Sequence, residues 1–497
     1  MEIKFNKFFR EELTIQEIQP GMEDGIITSK ELTMYYLHRI AKYDQDGLKI
    51  NSVLEINPHA IFIAEALDHE RKIKGSRGPL HGIPVLLKDN IETNDSMHTS
   101  AGTIALENHI SAQDAFLVAR LRKAGAIILG KANMTELANG MSSEMWAGYS
   151  ARGGQVKNPY GDENLFVGGS SSGSAVAVAA NFTVLSVGTE TDASILSPAT
   201  QNSVVGIKPT VGLISRTGVI PFTYSQDTAG PFARNVTDAA ILLGALTGVD
   251  SSDPATLKSE GRSLQDYTIY LDTNGLKGAR IGVFNIASNE SDEYDEELFN
   301  SAIQTLGDEG AIVIQEIEIP SFHREWSWGV SLYELKHSLD NYLSKLPPQL
   351  PVHSFSELIQ FNKSLGEKAL KYGQDKLEKR EHFPNTLRNP EYLIARLEDL
   401  YFSQEQGIDF AVKKYNLDAI LFPSYIGSTI SAKAGYPSIA MPAGYMKSGK
   451  PFGVTFAGTA FSEGILIKLA YAFEQATKHR RSPCLLGKND GGFRNEH

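Results

Sequence analysis

Cysteine is nearly absent: Cys484 is the only one in 497 residues. That excludes an internal disulfide and any cysteine-rich zinc site, and a lone thiol suits a reducing compartment. Long apolar runs are also missing. The nearest, Ala175 to Val187, is broken by Asn181, Thr183 and Ser186 and is too short to cross a bilayer. The opening stretch MEIKFNKFFREELTIQE has no apolar run of signal-peptide length. These absences predict a cytoplasmic protein. Positive charge is not in surplus: 47 Lys and Arg against 59 Asp and Glu give a net charge of −12, so neither nucleic acid nor an anionic membrane is an expected partner. Catalytic signatures are missing too. No Gly-Lys-Ser/Thr follows the glycine-rich turn, no G-x-G-x-x-G opens a helix, and no H-E-x-x-H occurs. No cofactor and no metal are therefore expected.

What the chain does have is concentrated in Phe166 to Ala199, FVGGSSSGSAVAVAANFTVLSVGTETDASILSPA. Two serine-bearing turns, Gly168 to Ser174 and Gly188 to Ser194, bracket an apolar segment. Glycine lets a turn adopt backbone conformations closed to other residues and approach a ligand closely. Successive amides of such a turn converge on one negative oxygen, and a hydroxyl beside them is what acyl transfer needs.

Around this stretch, short apolar runs alternate with helical patterns, which argues for an α/β sheet. Thr28 and Glu31 form a capping box that opens a helix bearing Leu32, Tyr35, Tyr36 and Ile40. Val53 to Ile56, Ile83 to Leu87 and Ala126 to Leu129 read as strands, with helices over His59 to Lys74 and from Asp114 to a stop at Gly125. Asn133 to Asn139 is expected to open a further helix. Strands are also expected in Asn202 to Lys208, Val211 to Ile214, Arg280 to Phe284, Ala311 to Ile319, Ala419 to Phe422, Gly435 to Gly444 and Pro451 to Phe456. Gln226 to Pro231 reads as a turn cluster. Helices are expected after Asp238, over Asp295 to Glu309 and over Ser462 to Lys478. Residues 320–415 lose the strand signals and gain charged, aromatic helical patterns. They read as a helical excursion, either a cover over the site or an outer layer with tryptophan in its core. No repeat, low-complexity block or linker interrupts residues 1–497, so one large domain is expected: α/β, a mixed central sheet with helices on both faces.

Lys88 closes the Ile83 to Leu87 run. Read locally, it is either a surface lysine paired with Asp89 or an amine whose desolvation lowers its pKa until it can act as a base. Gly169 to Gly173 also fits G-x-S-x-G, which would make Ser171 the nucleophile of an α/β-hydrolase-type esterase. Against that stand a short preceding strand and no evident downstream Asp and His.

The sequence resembles the amidase signature family, serine amidohydrolases with a Ser–cis-Ser–Lys triad. The resemblance is carried by GIPVLLKDN, TSAGT at Thr99 to Thr103, GGSSSGSAVAVAA, GTETDASILSPA, GIKPTVGLISRTG and PFGVTFAG, in family order from residue 28 to residue 485. It implies an enzyme that hydrolyses a carboxamide to an acid and ammonia or an amine through a serine acyl-enzyme, with a small-molecule or peptide amide as substrate. By the same resemblance Ser194 is the nucleophile, and Ser170, after a cis peptide bond, bridges it to a neutral Lys88. The amides of Thr191, Asp192, Ala193 and Ser194 then form the oxyanion hole, and Ser171 supports the network. Two positions depart from the pattern: Ala193 stands where the family usually has Gly, and Leu196 where it often has Arg. The ETD…SILSPA form is more similar to peptide amidases and stand-alone amidases than to the glutaminase component of glutamine-dependent tRNA amidotransferases. That component, which needs protein partners and tRNA, is one alternative. A catalytically weakened binding homologue, suggested by Ala193, is another. The sequence does not separate a monomer from a homodimer.

Overall fold

The computed structural model describes residues 5–284 and 294–485. The polar tail from Gly487, expected to fray, lies outside the described residues. The strands are β1 Val53–Ile56, β2 Pro84–Lys88, β3 Ile127–Ala132, β4 Tyr149–Ser150, β5 Gly154–Gln155, β6 Leu185–Glu190, β7 Val205–Lys208, β8 Thr228–Ala233, β9 Arg280–Val283, β10 Ile312–Ile314, β11 Ala419–Pro423, β12 Ser438–Tyr445 and β13 Pro451–Ala457. Eleven of them make one sheet in the order β1-β3-β2-β6-β8-β7-β12-β13-β11-β9-β10, and β4 pairs only with β5. The sheet is mixed. β2 is parallel to β3 and to β6, and β9 is parallel to β10 and β11. The other pairings are antiparallel.

Every residue of β2, β3, β6 and β8 is buried. Strands covered on both faces read as unbroken apolar runs, which is why Ile83 to Leu87 shows no alternation. The helix Ser172–Ala179 packs against all four of these strands. Its sequence, SGSAVAVA, is small throughout and wholly buried. Larger side chains would hold it away from the sheet. The capping box at Thr28 forms as expected: its hydroxyl accepts from the Glu31 amide at 3.1 Å, and the Glu31 carboxylate accepts from the Thr28 amide at 2.9 Å. Residues 320–415 hold a layer of helices, among them Gly329–Leu343, Phe355–Leu365, Asp375–Glu381 and Pro390–Leu400.

Several local expectations change. Gln226 to Pro231 is a turn only at its start, where the Gln226 and Asp227 amides donate to the Thr223 carbonyl; from Thr228 it is β8, an interior strand between β6 and β7. Gly and Pro ordinarily mark strand breaks. Here Gly230 lets β7 approach, since a Cβ at 230 would stand 2.0 Å from the Ile207 carbonyl oxygen. Asn133 to Asn139 does not open an α-helix. It carries one short 3-10 turn, Glu136–Asn139, in which Leu137 and Ala138 are left-handed. Val211 to Ile214 is a single bridge, and the strand expected over Ala311 to Ile319 spans only Ile312–Ile314. The second glycine-rich turn is shorter than it reads, because Gly188 to Glu190 belong to β6. Among the described residues, no helix is long and apolar enough to cross a membrane.

Candidate active site

β2 and β6 lie side by side and run parallel, so their C-terminal ends emerge together. β2 ends on Lys88 and β6 on Glu190. The turn before the helix Ser172–Ala179 comes down onto the same place. Glycine at 188 makes that approach possible, because a Cβ there would lie 2.7 Å from Ser171 Oγ.

Lys88 is fully buried. Its Nζ lies 2.8 Å from Ser170 Oγ, 2.9 Å from Ser171 Oγ, 2.9 Å from Thr189 Oγ1 and 3.1 Å from the Thr189 carbonyl oxygen. Burial pulls its pKa down to about 7, against the opposing fields of Asp227 and Glu190. Pairing with Asp89 does not occur. That carboxylate accepts from Ser100 Oγ, from the Gly102 amide at 3.0 Å and from Arg152 at 3.4 Å. The surface-lysine reading therefore fails.

Ser170 follows a cis Gly169–Ser170 peptide bond, and its Oγ donates to Ser194 Oγ at 3.0 Å. Lys88, Ser170 and Ser194 thus form one continuous chain of polar atoms. Ser171 sits deeper and is fully buried. Its Oγ donates to the Thr189 carbonyl at 2.9 Å and accepts from the Thr189 amide at 3.2 Å, while its own amide donates to the Ser194 carbonyl at 3.2 Å. A hydroxyl so enclosed has no route to a substrate, so the esterase alternative fails on access.

Beyond Glu190 the chain turns through Ala193 at φ +60°. A left-handed residue within a turn brings successive amides to one side. Among the described residues, the amides of Thr191, Asp192, Ala193 and Ser194 have no acceptor. Those of Ile195 and Leu196 donate to Glu190 Oε2 at 2.6 and 3.0 Å. Burial raises the Glu190 carboxyl to about 7, with Lys208 opposing the shift. Thr191 Oγ1 donates to Asp227 at 2.5 Å, and Asp192 Oδ2 accepts from Thr429 Oγ1 at 2.9 Å. Leu196, where the resemblance gives Arg, packs with Ala175, Val178, Ala199 and Phe232.

Ser170, Ala193 and Ser194 open on a cleft of about 730 Å³. Part of its wall comes from the 320–415 layer, through Trp328, Leu332, Lys376 and Arg380. Among the described residues, no three His, Cys, Asp or Glu side chains gather as a metal ion would require.

All the residues singled out from sequence meet here. Sequence reasoning missed Thr189, which holds Lys88, and Asn90, whose Nδ2 donates to Thr189 Oγ1 at 3.0 Å. It also missed Glu190, which caps the turn, and Asp227, which holds Thr191. Thr189 and Glu190 lie inside the GTETDAS motif, so a signal was present. Asp227 lies in the stretch read as a turn and gave none.

Known proteins resemble this chain over most of its length. A family model described as Amidase matches residues 31–467. A probable amidase of Arabidopsis thaliana is 42% identical over 487 residues, covering 96% of this chain and 92% of that protein. A glutamyl-tRNA(Gln) amidotransferase component of Thermoanaerobacter pseudethanolicus is 33% identical, over 96% of this chain and 98% of its own. The crystal structure of native peptide amidase from Stenotrophomonas maltophilia superposes with a TM-score of 0.90 at 42% identity, covering 96% of this chain and 99% of that one. With a matching model over most of its length and relatives this similar from end to end, the chain belongs to the amidase signature family and is an amidase.

Proposed function

We propose that Ser194 attacks the carbonyl carbon of a carboxamide, with Lys88 acting through Ser170 as the base. The supporting observation is the buried contact chain, Lys88 Nζ to Ser170 Oγ at 2.8 Å and Ser170 Oγ to Ser194 Oγ at 3.0 Å. A neutral amine has two N–H donors and one lone pair. Donating to Ser171 and Thr189 leaves the lone pair for Ser170, whose hydroxyl, donated to Ser194 at rest, turns toward Lys88 and accepts from Ser194 for the transfer. As Ser194 Oγ bonds to carbon, its proton passes to Ser170 Oγ, and the Ser170 proton passes to Lys88. The carbonyl oxygen becomes an oxyanion within reach of the unclaimed amides of residues 191–194. One such donor is worth about 3 kcal/mol in comparable sites. The proton then returns along the same path to the leaving nitrogen, the C–N bond breaks, and ammonia or an amine departs. Water, deprotonated by the same relay, releases the acid from the acyl-enzyme.

The substrate we read is a peptide-sized amide. The cleft is wide enough for several residues, and a structural neighbour is by name a peptide amidase. The helices of residues 320–415 act as a cover on one side of the cleft. The enzyme needs neither a cofactor nor a tRNA partner in this reading. Labelling with a fluorophosphonate tests it, with the adduct mapped by mass spectrometry and ammonia release followed on C-terminal peptide amides and on glutamine. The expected adduct is on Ser194, with peptide amides preferred. A label on Ser171, or release from glutamine alone, would overturn it.

A further inference from the structure

We propose that the helix Asp375–Glu381 gives the cleft a cationic subsite for a carboxylate carried by the acyl part of the amide substrate. The proposal rests on the amidase reading and names a class of substrate for it. Lys376, Lys379 and Arg380 are spaced i, i+3 and i+4, which sets them on one face of the helix, and all three line the cleft.

Their charges are poorly answered from within the protein. Arg380 is 6% exposed, and among the described residues no carboxylate lies within ion-pair distance of it, although the field of Asp375 on the same helix partly offsets its burial. It donates to the Lys376 carbonyl at 3.0 Å and to Ser331 Oγ at 3.3 Å, and its Nε has no partner. Its guanidinium carbon stands 5.8 Å from the centre of the Phe222 ring, another wall of the cleft. Lys376 Nζ reaches only Asn139, at 3.3 and 3.5 Å. Two carboxylates share the cleft, each hydrogen-bonded within the protein, though Asp192 Oδ1 has no partner. Asp375 accepts from the Ser143 amide at 2.9 Å and Ser143 Oγ at 2.8 Å, and Asp192 accepts from Thr429.

A buried guanidinium without a counter-ion is an unfavourable arrangement that a bound anion relieves. Burial lowers the pKa of Arg380 to about 10 and also lowers that of Lys376. A carboxylate matches the planar fork of Arg, and the two lysines add charge around it. The cluster lines the same cavity as Ser194, and because a C-terminal amide releases only ammonia, the anion belongs to the substrate's acyl portion.

The test uses the full chain carrying Ser194→Ala, so that binding is read without turnover. Calorimetry compares N-acetyl dipeptide amides that differ only in glutamate against glutamine, at each of the two positions. Tighter binding of a glutamate peptide by about tenfold is expected, shrinking with added salt. The preference should vanish in Arg380→Gln. Because Arg380 is buried and its loss could unfold the helix, Lys379→Glu on the exposed side of the turn is the second variant, and it should reverse the preference. Equal or weaker binding of glutamate at both positions would overturn the proposal, as would a preference indifferent to Lys379→Glu. Failure of wild-type enzyme to release ammonia from either peptide, with the binding preference intact, would overturn the peptide-amide reading of the substrate and leave the anion subsite standing.

Discussion

The strand ends that carry Lys88 and Glu190 are wholly buried, whereas the helical layer lining the same cleft leaves Trp328 52% exposed. On the strand side the proton-relay groups have several partners, although the outer oxygens of Asn90, Glu190 and Asp192 have none. Lys88 alone touches Ser170, Ser171 and two atoms of Thr189. On the helical side Arg380 keeps an unpartnered nitrogen, and Lys376 makes only long contacts. A buried relay whose amine and hydroxyls are all engaged holds one geometry, which proton transfer needs. Sparse, half-open walls suit discrimination between substrates. The division predicts that substitutions at the strand ends change kcat, and that those in the helical layer change KM and preference.

The largest effect should come from removing Ser194. Ser194→Ala is expected to lower kcat by about 10⁴ or more, with KM barely moved. Lys88→Met should lower kcat by about 10³. Their thermal melts should differ. Lys88 has a folded pKa near 7, below its value of about 10.4 in the unfolded chain. The unfolded state therefore binds the extra proton between those values, and stability gained from this group rises with pH across that window. The penalty for burying the charged amine is fully present below pH 7. Lys88→Met removes it, so the variant should melt higher than wild type at pH 6, and the difference should fade toward pH 10. A variant that melts lower at pH 6 would mean that the lysine is a structural strut.

Next in size is the pH dependence of wild-type activity. The base is neutral above its pKa, so kcat/KM should rise about tenfold per pH unit below 7 and level off above it. A flat profile from pH 5 to 8 would break the link between the buried lysine and the chemistry.

How far the sequence foretold these two sides differs for a physical reason. Lys88, Ser170 and Ser194 were legible through the resemblance, whose motifs carry all three; read locally, the lysine stayed open between a surface pair with Asp89 and a buried base. The order of the strands was not. Parallel pairing of β2 with β6 is a tertiary fact, with residues 89–184 between them in the chain. β8 was misread because Thr228, Gly230 and Pro231 carry turn-like local preferences, overridden by packing between β6 and β7. The helical layer was recognised as helical, yet nothing in its pattern said which side chains face the cleft. That depends on how the helix Asp375–Glu381 docks, through Asp375 on Ser143. Lys376 and Arg380 therefore had no sequence signal as site residues.

A smaller effect belongs to the helical side. Trp328 lines the cleft while half in solvent. Trp328→Ala should raise KM for a peptide amide by about fivefold, the worth of a partly buried aromatic, and leave kcat within twofold. Loss of kcat instead would join the two regions into one mechanical unit and end the comparison.

The smallest expected effect lies on the buried side, at the position that departs from the family. Ala193 sits at φ +60°, where a Cβ costs about 1 kcal/mol relative to glycine. Ala193→Gly relieves that strain and removes a methyl from the wall beside Ser194. Glycine also loosens the unfolded chain, which offsets part of the relief. Stability should therefore change by less than about 1 kcal/mol. Turnover is the sharper readout, because the amides on both sides of residue 193 are the unclaimed donors of the oxyanion turn. A two- to threefold rise in kcat, a gain of about 0.5 kcal/mol at the transition state, is expected with KM unchanged. A change confined to KM would mean that the methyl meets the bound substrate and not the transition state. The strand side would then share in selection, a role the comparison gives to the helices.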